Sequence, residues 1–332
     1  MKVGILGDSL ASLTLAKTLV NDGIFVDLIH NKNVRIINKN RTIGITKTNI
    51  EFFDKKILNI SKKSFEVNKI EISLEKFNNK SIFNFDNNKK KLFSIIKNYK
   101  LYELLNDSLI KSKLFSRKKF FLNQFKIDNN YQIIINCDPN NPLTKKIFHK
   151  KIKKNYESIA YTTIINHKRI LENKIAYQIF TKYGPIAYLP ISEYETSIVY
   201  SVKKKDNLKE PEIFDLINKY NPKYQIKNIK KIESFELFFS NLRTYYHKNI
   251  LAFGDLLHRV HPLAGQGFNM TIRDIRILNQ IINNRISLGL ELDSSVCIEF
   301  EKKLRHKNFL FSSGIDFIYE FFNLEKKLKI RN

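Results

Sequence analysis

A chain of 332 residues with 43% hydrophobic side chains can bury a full-sized core, so it reads as one large domain or two intergrown ones and not as a small stapled fold. Its two cysteines, Cys137 and Cys297, exclude a disulfide framework and a cysteine-built zinc centre, and fit a reducing compartment. The formal charge of +26 rests on 47 lysines and only 11 arginines; bidentate recognition of phosphates and bases favours arginine, so nucleic acid is not expected, and the Lys, Asn and Ile excess reads as compositional drift or as attraction to an anionic lipid surface.

The chain opens with Lys2 to Leu6, a short β-type run, followed by the polar turn Gly7-Asp8-Ser9-Leu10-Ala11-Ser12. Helical apolar spacing from Leu13 to Val20 and a second β-type run from Ile24 to Ile29 complete a βαβ unit. This start has no leader-like apolar region, and no stretch approaches the roughly 20 apolar residues that span a bilayer. The expectation is a soluble cytoplasmic protein, peripheral at a membrane at most. The turn sits where a dinucleotide fold writes G-x-G-x-x-G, but only Gly7 is kept; Ser9 and Ser12 stand for the other two glycines, and serine impairs close backbone approach without forbidding it. The second strand ends in His30, where an acidic ribose ligand is usual; a neutral imidazole can still hydrogen-bond a hydroxyl. A nucleotide site and a plain βαβ unit both fit these residues.

Further along, Ile43 to Phe53 reads as a helix after Arg41-Thr42, Glu71 to Leu74 and Ser81 to Phe85 as strands, and Leu101 to Ile110 as a helix. Ile133-Ile134-Ile135 is a buried strand ending at Cys137-Asp138-Pro139. Four β-rich segments (160–165, 176–180, 186–189 and 197–200), parted by turn residues, predict an antiparallel meander. A polar linker spans Lys203 to Leu208, and Ile213 to Tyr220 is a helix. Strand Ile250 to Phe253 then enters the most informative segment. From Gly254 to Asn269 it runs Gly-Asp-Leu-Leu-His-Arg-Val-His-Pro-Leu-Ala-Gly-Gln-Gly-Phe-Asn, and a helix follows from about Asn269 to Ile282. A strand that delivers Asp255 at its carboxyl end sets a carboxylate at the mouth of a sheet, able to accept from sugar or ribityl hydroxyls. Gly265-Gln266-Gly267 offers backbone N–H groups at the positive end of a helix, which suits an anion or developing negative charge. His258 and His261 have metal-like spacing, but the adjoining Pro262 and glycines favour a loop or packing role, and no metal is expected. Arg273 and Asp274 read as a solvated pair or a cap interaction. The cluster Phe309, Phe311, Phe317, Tyr319, Phe321 and Phe322 reads first as core, and otherwise as a partner or membrane face.

The pattern Gly254-Asp255-x-x-His258-x-x-His261-Pro262-x-x-Gly265-Gln266-Gly267-x-Asn269 resembles the second flavin-binding motif of the single-component flavoprotein hydroxylases, specifically the UbiH-like ubiquinone-biosynthesis hydroxylases. Arg41-Thr42-Ile43-Gly44 resembles that family's arginine loop near the flavin, Tyr183 to Pro190 its substrate-domain strand pair, and Arg305-His306-Lys307-Asn308 a helix beyond the flavin domain. The resemblance implies an α/β fold: a doubly wound, Rossmann-like FAD domain made of residues 1–70, 95–150 and 240–290, an inserted β-rich substrate domain made of 71–94 and 151–239, and C-terminal helices over 291–332. It implies that Gly7, Ser9, Leu10, Ser12 and His30 face the ADP half of FAD, with Asp255 on the ribityl chain. Pro262, Gly265, Gln266, Gly267, Phe268 and Asn269 would lie along the isoalloxazine, with Arg41 and Asp138 also near the cofactor. It implies hydroxylation of a polyprenylated phenol with NAD(P)H and O2 through a C4a-hydroperoxyflavin, no protein side chain acting as catalyst, at the surface of the inner membrane and beside other enzymes of the pathway. Four departures bear on this: Ser9 and Ser12; His30; Tyr99 where the family usually has an arginine; and Pro139 where the middle motif has glycine, removing an N–H. They leave room for a weakly FAD-binding or non-catalytic member that binds prenylated intermediates or a partner enzyme.

Overall fold

The computed structural model describes residues 1–30, 39–75, 81–86, 91–119, 131–261 and 265–328, with side chains described as far as 317. Its first layer is a six-stranded sheet in the order β16-β17-β9-β1-β2-β8. The strands are β1 (Lys2–Leu6), β2 (Phe25–His30), β8 (Phe115–Lys119), β9 (Ile133–Asn136), β16 (Tyr246–His247) and β17 (Ile250–Ala252). All pairs are parallel except β16 with β17. Strands buried on both faces read as apolar runs, which is why Ile133, Ile134 and Ile135 are fully inaccessible. Helix α1 (Leu10–Asn21) forms the crossover from β1 to β2 and packs against α3 (Asn98–Ile110) and α6 (Gln266–Ser287). Its buried face includes Leu13, Leu15, Ala16 and Leu19.

A second sheet runs β18-β15-β10-β13-β12-β11-β5-β6, with β14 (Ile226–Ile229) paired to β10. Its strands are β5 (Lys69–Leu74), β6 (Ser81–Asp86), β10 (Lys151–His167), β11 (Ile175–Phe180), β12 (Pro185–Pro190), β13 (Glu195–Lys203), β15 (Glu233–Leu242) and β18 (His258–Arg259). Helix α5 (Glu210–Lys219) lays Ile213 and Ile217 on this sheet against Tyr188 and Tyr200, closing a second core. Between the two sheets lies a small sheet, β3 (Thr42–Thr46), β7 (Phe93–Lys97) and β4 (Phe65–Val67), followed in the chain after β3 by α2 (Lys47–Lys56). Helix α4 (Pro142–Ile147) follows β9, and α7 (Ser294–Leu328) closes the described chain.

The chain has the α/β architecture expected, and several elements differ in detail. Residues 43–46 are strand, not helix: β3 pairs with β7 from Thr42↔Lys97 to Thr46↔Phe93, and the helix starts only at Lys47. The run Ile43-Gly44-Ile45-Thr46 is β-branched around a glycine, so tertiary pairing outweighs the apolar spacing that continued into α2. The meander holds for β11-β12-β13, but β10 pairs with β13 and does not touch β11 as a neighbour. The linker after β13 contains a 3-10 turn, Lys204–Asp206. The helix after the glycine-rich segment begins at Gln266, three residues earlier than its apolar periodicity suggests. The carboxyl-terminal region is one helix of 35 residues where helices in the plural were expected.

Phe309, Phe311 and Phe317 of α7 are not core. Val296, Phe300, Leu304, Asn308, Ser312 and Ile315 form the buried stripe at helical spacing, and this turns Phe309, Phe311 and Phe317 outward, at 46%, 40% and 68% exposure. The side chains of Tyr319, Phe321 and Phe322 lie outside the described residues. Among the described residues no helix is long and apolar enough to cross a membrane.

Candidate functional site

Three chain segments converge at the carboxyl edge of the six-stranded sheet. Gly7 leaves β1 with φ +101°, and a Cβ there would stand 3.0 Å from the Cβ of Asp138 and 3.2 Å from its backbone nitrogen. The turn after β1 is thus pressed against the turn after β9, with the Cys137 N–H donating to the Leu6 carbonyl at 2.9 Å. Gly254, following β17, comes as near to α1: its missing Cβ would sit 2.9 Å from that of Ala11. Burial pushes the enclosed Cys137 thiol up to about 12, and the carboxylates of Asp255 and Asp138 push the same way. Asp255 itself is exposed, so the strand delivers a solvated carboxylate to the rim of the crevice.

Ser9 and Ser12 turn toward each other. Ser9 Oγ accepts from the Ser12 N–H at 3.1 Å, the Ser9 N–H donates to Ser12 Oγ at 3.2 Å, and the two hydroxyls are 2.8 Å apart. The pair forms a capping box at the start of α1. Among the described residues, the amides of Leu10 and Ala11 are the orphan donors of that first turn left outside the box. Leu10 has its side chain in the core. His30, half-buried at the end of β2, stands in register with Lys119 of β8. Asp138 is half-buried, and its Oδ1 accepts from the Asn140 N–H at 2.9 Å. Asn141 then caps α4, with Pro142 at the first helical position.

Gly265 caps α6 in the left-handed region (φ +64°) and supplies no side-chain cap. A Cβ on Gly265 would lie 3.6 to 3.9 Å from the N, O and Cα of Gly44 in β3, so the helix start and the strand meet through two glycines. Asn269 fixes that contact. Its Nδ2 donates to the Gly44 carbonyl at 2.9 Å and the Gly265 carbonyl at 3.2 Å, while its Oδ1 accepts from the Thr46 N–H at 3.0 Å and from Asn49 Nδ2 at 2.9 Å. The carboxamide is therefore spent on positioning the loop. Gln266 and Gly267 are half-buried, and Phe268 leans on the main core. Arg41 is exposed, with its guanidinium 5.1 Å from the ring centre of Phe235. Pro262 lies outside the described residues.

The two histidines face different partners. His258 is buried with Nε2 2.6 Å from Asp274 Oδ2, and Asp274 also takes Arg273 at 2.9 Å. The expectation of a solvated Arg273–Asp274 pair is corrected here: α6 is covered by α1 and α7, so Asp274 is wholly inaccessible and needs charged partners. Arg273 also donates to Asn308, tying α6 to α7. His261 packs edge-on against Tyr156 with ring centres 5.1 Å apart, and burial pulls its imidazole down to about 3. Among the described residues no cluster of three His, Cys, Asp or Glu side chains forms that could hold a metal ion.

Sequence reasoning missed one cluster on the dinucleotide side. Tyr102, on α3, donates from its hydroxyl to both oxygens of Asp8 at 2.8 Å, and Arg117 of β8 reaches Asp8 at 3.2 Å and Asn106 at 2.6 Å. Burial, and then the Asp8 hydrogen bond, raise the Tyr102 phenol. The signal was an acidic residue directly after Gly7. Tyr99 sits one turn before Tyr102, half-buried in the first turn of α3.

With this geometry in view, the chain was compared with known proteins. No protein-family profile matches it. It is 25% identical over 227 residues to the ubiquinone biosynthesis monooxygenase COQ6 of Danio rerio, covering 56% of this chain and 47% of that one. It is 28% identical over 155 residues to the 3-demethoxyubiquinol 3-hydroxylase of Escherichia coli (strain K12), covering 44% of this chain and 39% of that one. The chain spans about half the length, or less, of the curated relatives it matches. Among solved structures it resembles the p-nitrophenol 4-monooxygenase PnpA of Pseudomonas putida DLL-E4, with a TM-score of 0.76 and 12% identity over 94% of this chain and 86% of that one. It also resembles PqsL of Pseudomonas aeruginosa in complex with 2-aminobenzoylacetate, with a TM-score of 0.74 and 14% identity over 95% and 93%. The fold is that of these monooxygenases, and the resemblance to the UbiH-like hydroxylases rests on relatives as well as on the motif.

Proposed function

We propose that the crevice at the carboxyl edge of the parallel sheet holds FAD and that the protein is a flavin-dependent aromatic hydroxylase acting in ubiquinone biosynthesis. The observation that carries this reading is an exposed Asp255, in a turn that packs on α6, together with a start of α6 that has no side-chain cap and is held against Gly44. The residues present fit the cofactor. Asp255 would accept hydrogen bonds from ribityl hydroxyls, and the amides of Gln266 and Gly267, at the positive end of a 22-residue helix, would stabilise negative charge on the reduced ring system. The amides of Leu10 and Ala11 serve the diphosphate, and His30 and Asp138 lie on the adenosine side. FAD, once bound, supplies the redox centre that takes a hydride equivalent from NAD(P)H and activates O2.

The protein's own work is binding, orientation and exclusion of water. Residues 1–70, 95–150 and 240–290 would make up the cofactor domain and 71–94 and 151–239 the substrate domain, with α7 closing the described chain. The names of the relatives support a prenylated phenol as substrate. The outward Phe309, Phe311 and Phe317 on a chain of charge +26 support peripheral contact with an anionic membrane, where such a substrate and the neighbouring enzymes reside.

One observation favours a second reading, a non-catalytic member that binds prenylated intermediates. Ser9 and Ser12 cap one another, which removes two amides from the diphosphate site. Titrating purified protein with FAD, followed by absorbance and thermal shift, tests the first reading; colourless protein with an unmoved melting temperature defeats it. Flavin-loaded protein whose NADH oxidation is not stimulated by a prenylated phenol supports the second.

A further inference from the structure

Asp8 is placed where the diphosphate turn should be electrostatically receptive. It lies between Gly7 and the capping serine of α1, and its carboxylate is 18% exposed. Among the described residues, the positive end of a 12-residue helix and the guanidinium of Arg117 stand at that turn, and Asp8 engages the second directly at 3.2 Å. Tyr102 locks the carboxylate by donating to both oxygens. Asn106 holds the other arm of Arg117, so the guanidinium is fixed in the pair. The cluster thus joins α1, α3 and β8 around an anion that the chain itself supplies. A dinucleotide bringing two further negative charges to the amides of Leu10 and Ala11 meets a like charge within the same turn, with Arg117 already paired.

We propose that Asp8, fixed by Tyr102 and Arg117, is an internal competitor for the diphosphate and sets the affinity of this chain for dinucleotides. The inference rests on the FAD reading above and concerns only its phosphate half. A carboxylate-to-phosphate separation of several ångströms at the protein surface corresponds to a change of about tenfold in affinity.

Asp8→Asn is the decisive variant, because asparagine keeps an oxygen for Tyr102 and Arg117 while removing the charge. Wild-type and Asp8→Asn proteins are titrated with FAD, ADP and riboflavin by fluorescence and calorimetry, at low salt and at about 0.5 M salt. The expected result is FAD and ADP binding about tenfold tighter in Asp8→Asn, riboflavin unchanged, and a gap that narrows with salt. Arg117→Gln shifts FAD and ADP the opposite way. Wild-type protein that binds FAD while Asp8→Asn binds it equally or more weakly overturns this inference and leaves the flavin reading standing. Equal tightening of riboflavin also overturns it, since riboflavin carries no phosphate. Failure of both proteins to bind FAD overturns both.

Discussion

Replacing Asn269 with alanine removes the side chain that joins α6 to β3 and α2 across the candidate flavin crevice. Asn269 is 6% exposed and makes contacts at 2.9 Å to the Gly44 carbonyl, 3.0 Å to the Thr46 N–H and 2.9 Å to Asn49 Nδ2. Each such bond contributes about 1 kcal/mol net, and a buried partner left without one costs about 1–3 kcal/mol. Asn49 is buried and bears the larger cost, whereas Gly44 and Thr46 are half-buried and regain water. The sum is a loss of about 3 kcal/mol, or roughly 4 °C in melting temperature for a chain of this size. Urea and thermal unfolding of Asn269→Ala, Asn49→Ala and the double variant measure it. The double variant should lose about 1 kcal/mol less than the sum of the singles, because the two amides depend on one another. Strict additivity, or an Asn269→Ala loss below about 1 kcal/mol, would refute the tether.

Phe300 is inaccessible and lies 5.8 Å from the ring of Phe253 and 6.5 Å from that of Tyr245, so it links α7 to the residue preceding Gly254. Phe300→Ala should cost about 3–5 kcal/mol in chemical unfolding, and a smaller figure would mean that α7 collapses into the gap. His261 gives a pH dependence. Its imidazole is held neutral, down to about 3, against roughly 6.5 in the unfolded chain. The unfolded state therefore binds the extra proton, so this stability is intact above about pH 6.5 and is lost progressively as pH falls toward 3, by at most about 5 kcal/mol. His261→Phe, which keeps the edge contact with Tyr156, should flatten that slope in unfolding measured from pH 7 to 4; an unchanged slope assigns it to other groups.

The elements carried by local pattern were legible before the structure: β1, α1 and β2 from their periodicity, and the 250–269 segment from a strand feeding an acidic residue and glycines into a helix. What was not legible depends on partners distant in sequence. Residues 43–46 follow β7 rather than their own apolar spacing. The outward turn of Phe309 and Phe311 follows from which stripe of α7 meets the rest of the fold. The burial of Asp274 depends on His258, 16 residues away, and on the cover provided by α7. Asn269, expected beside the cofactor, also ties Gly44, Thr46 and Asn49 to the start of α6, and no local signal announces that second use of an asparagine at a helix start. Asp8 was visible as an acid beside Gly7, but its locking by Tyr102 and Arg117 spans 94 residues and more.

The glycines of the crevice do not all argue for a ligand. Gly7 and Gly254 are required by packing, since a Cβ would press on Asp138 or Ala11, and Gly265 is required by its left-handed backbone. Ser9 and Ser12 stand where a side chain is accommodated, which explains how the fingerprint changed there while the fold persisted. Gly267 is different: it lies inside the first turn of α6, has no positive φ, and a Cβ on it would meet nothing within 4 Å among the described residues. Packing gives no reason for a glycine at that point, and glycine in a helix costs about 0.5–1 kcal/mol relative to alanine. Among the described residues the space beside Gly267 is open, and Asp255 is exposed at the turn after β17. Gly267→Ala should therefore stabilise the free protein by about 0.5 kcal/mol in thermal unfolding while weakening FAD binding severalfold in the same preparation. A variant that gains stability and binds FAD as tightly as the parent would show that the open space beside α6 is not where the flavin lies.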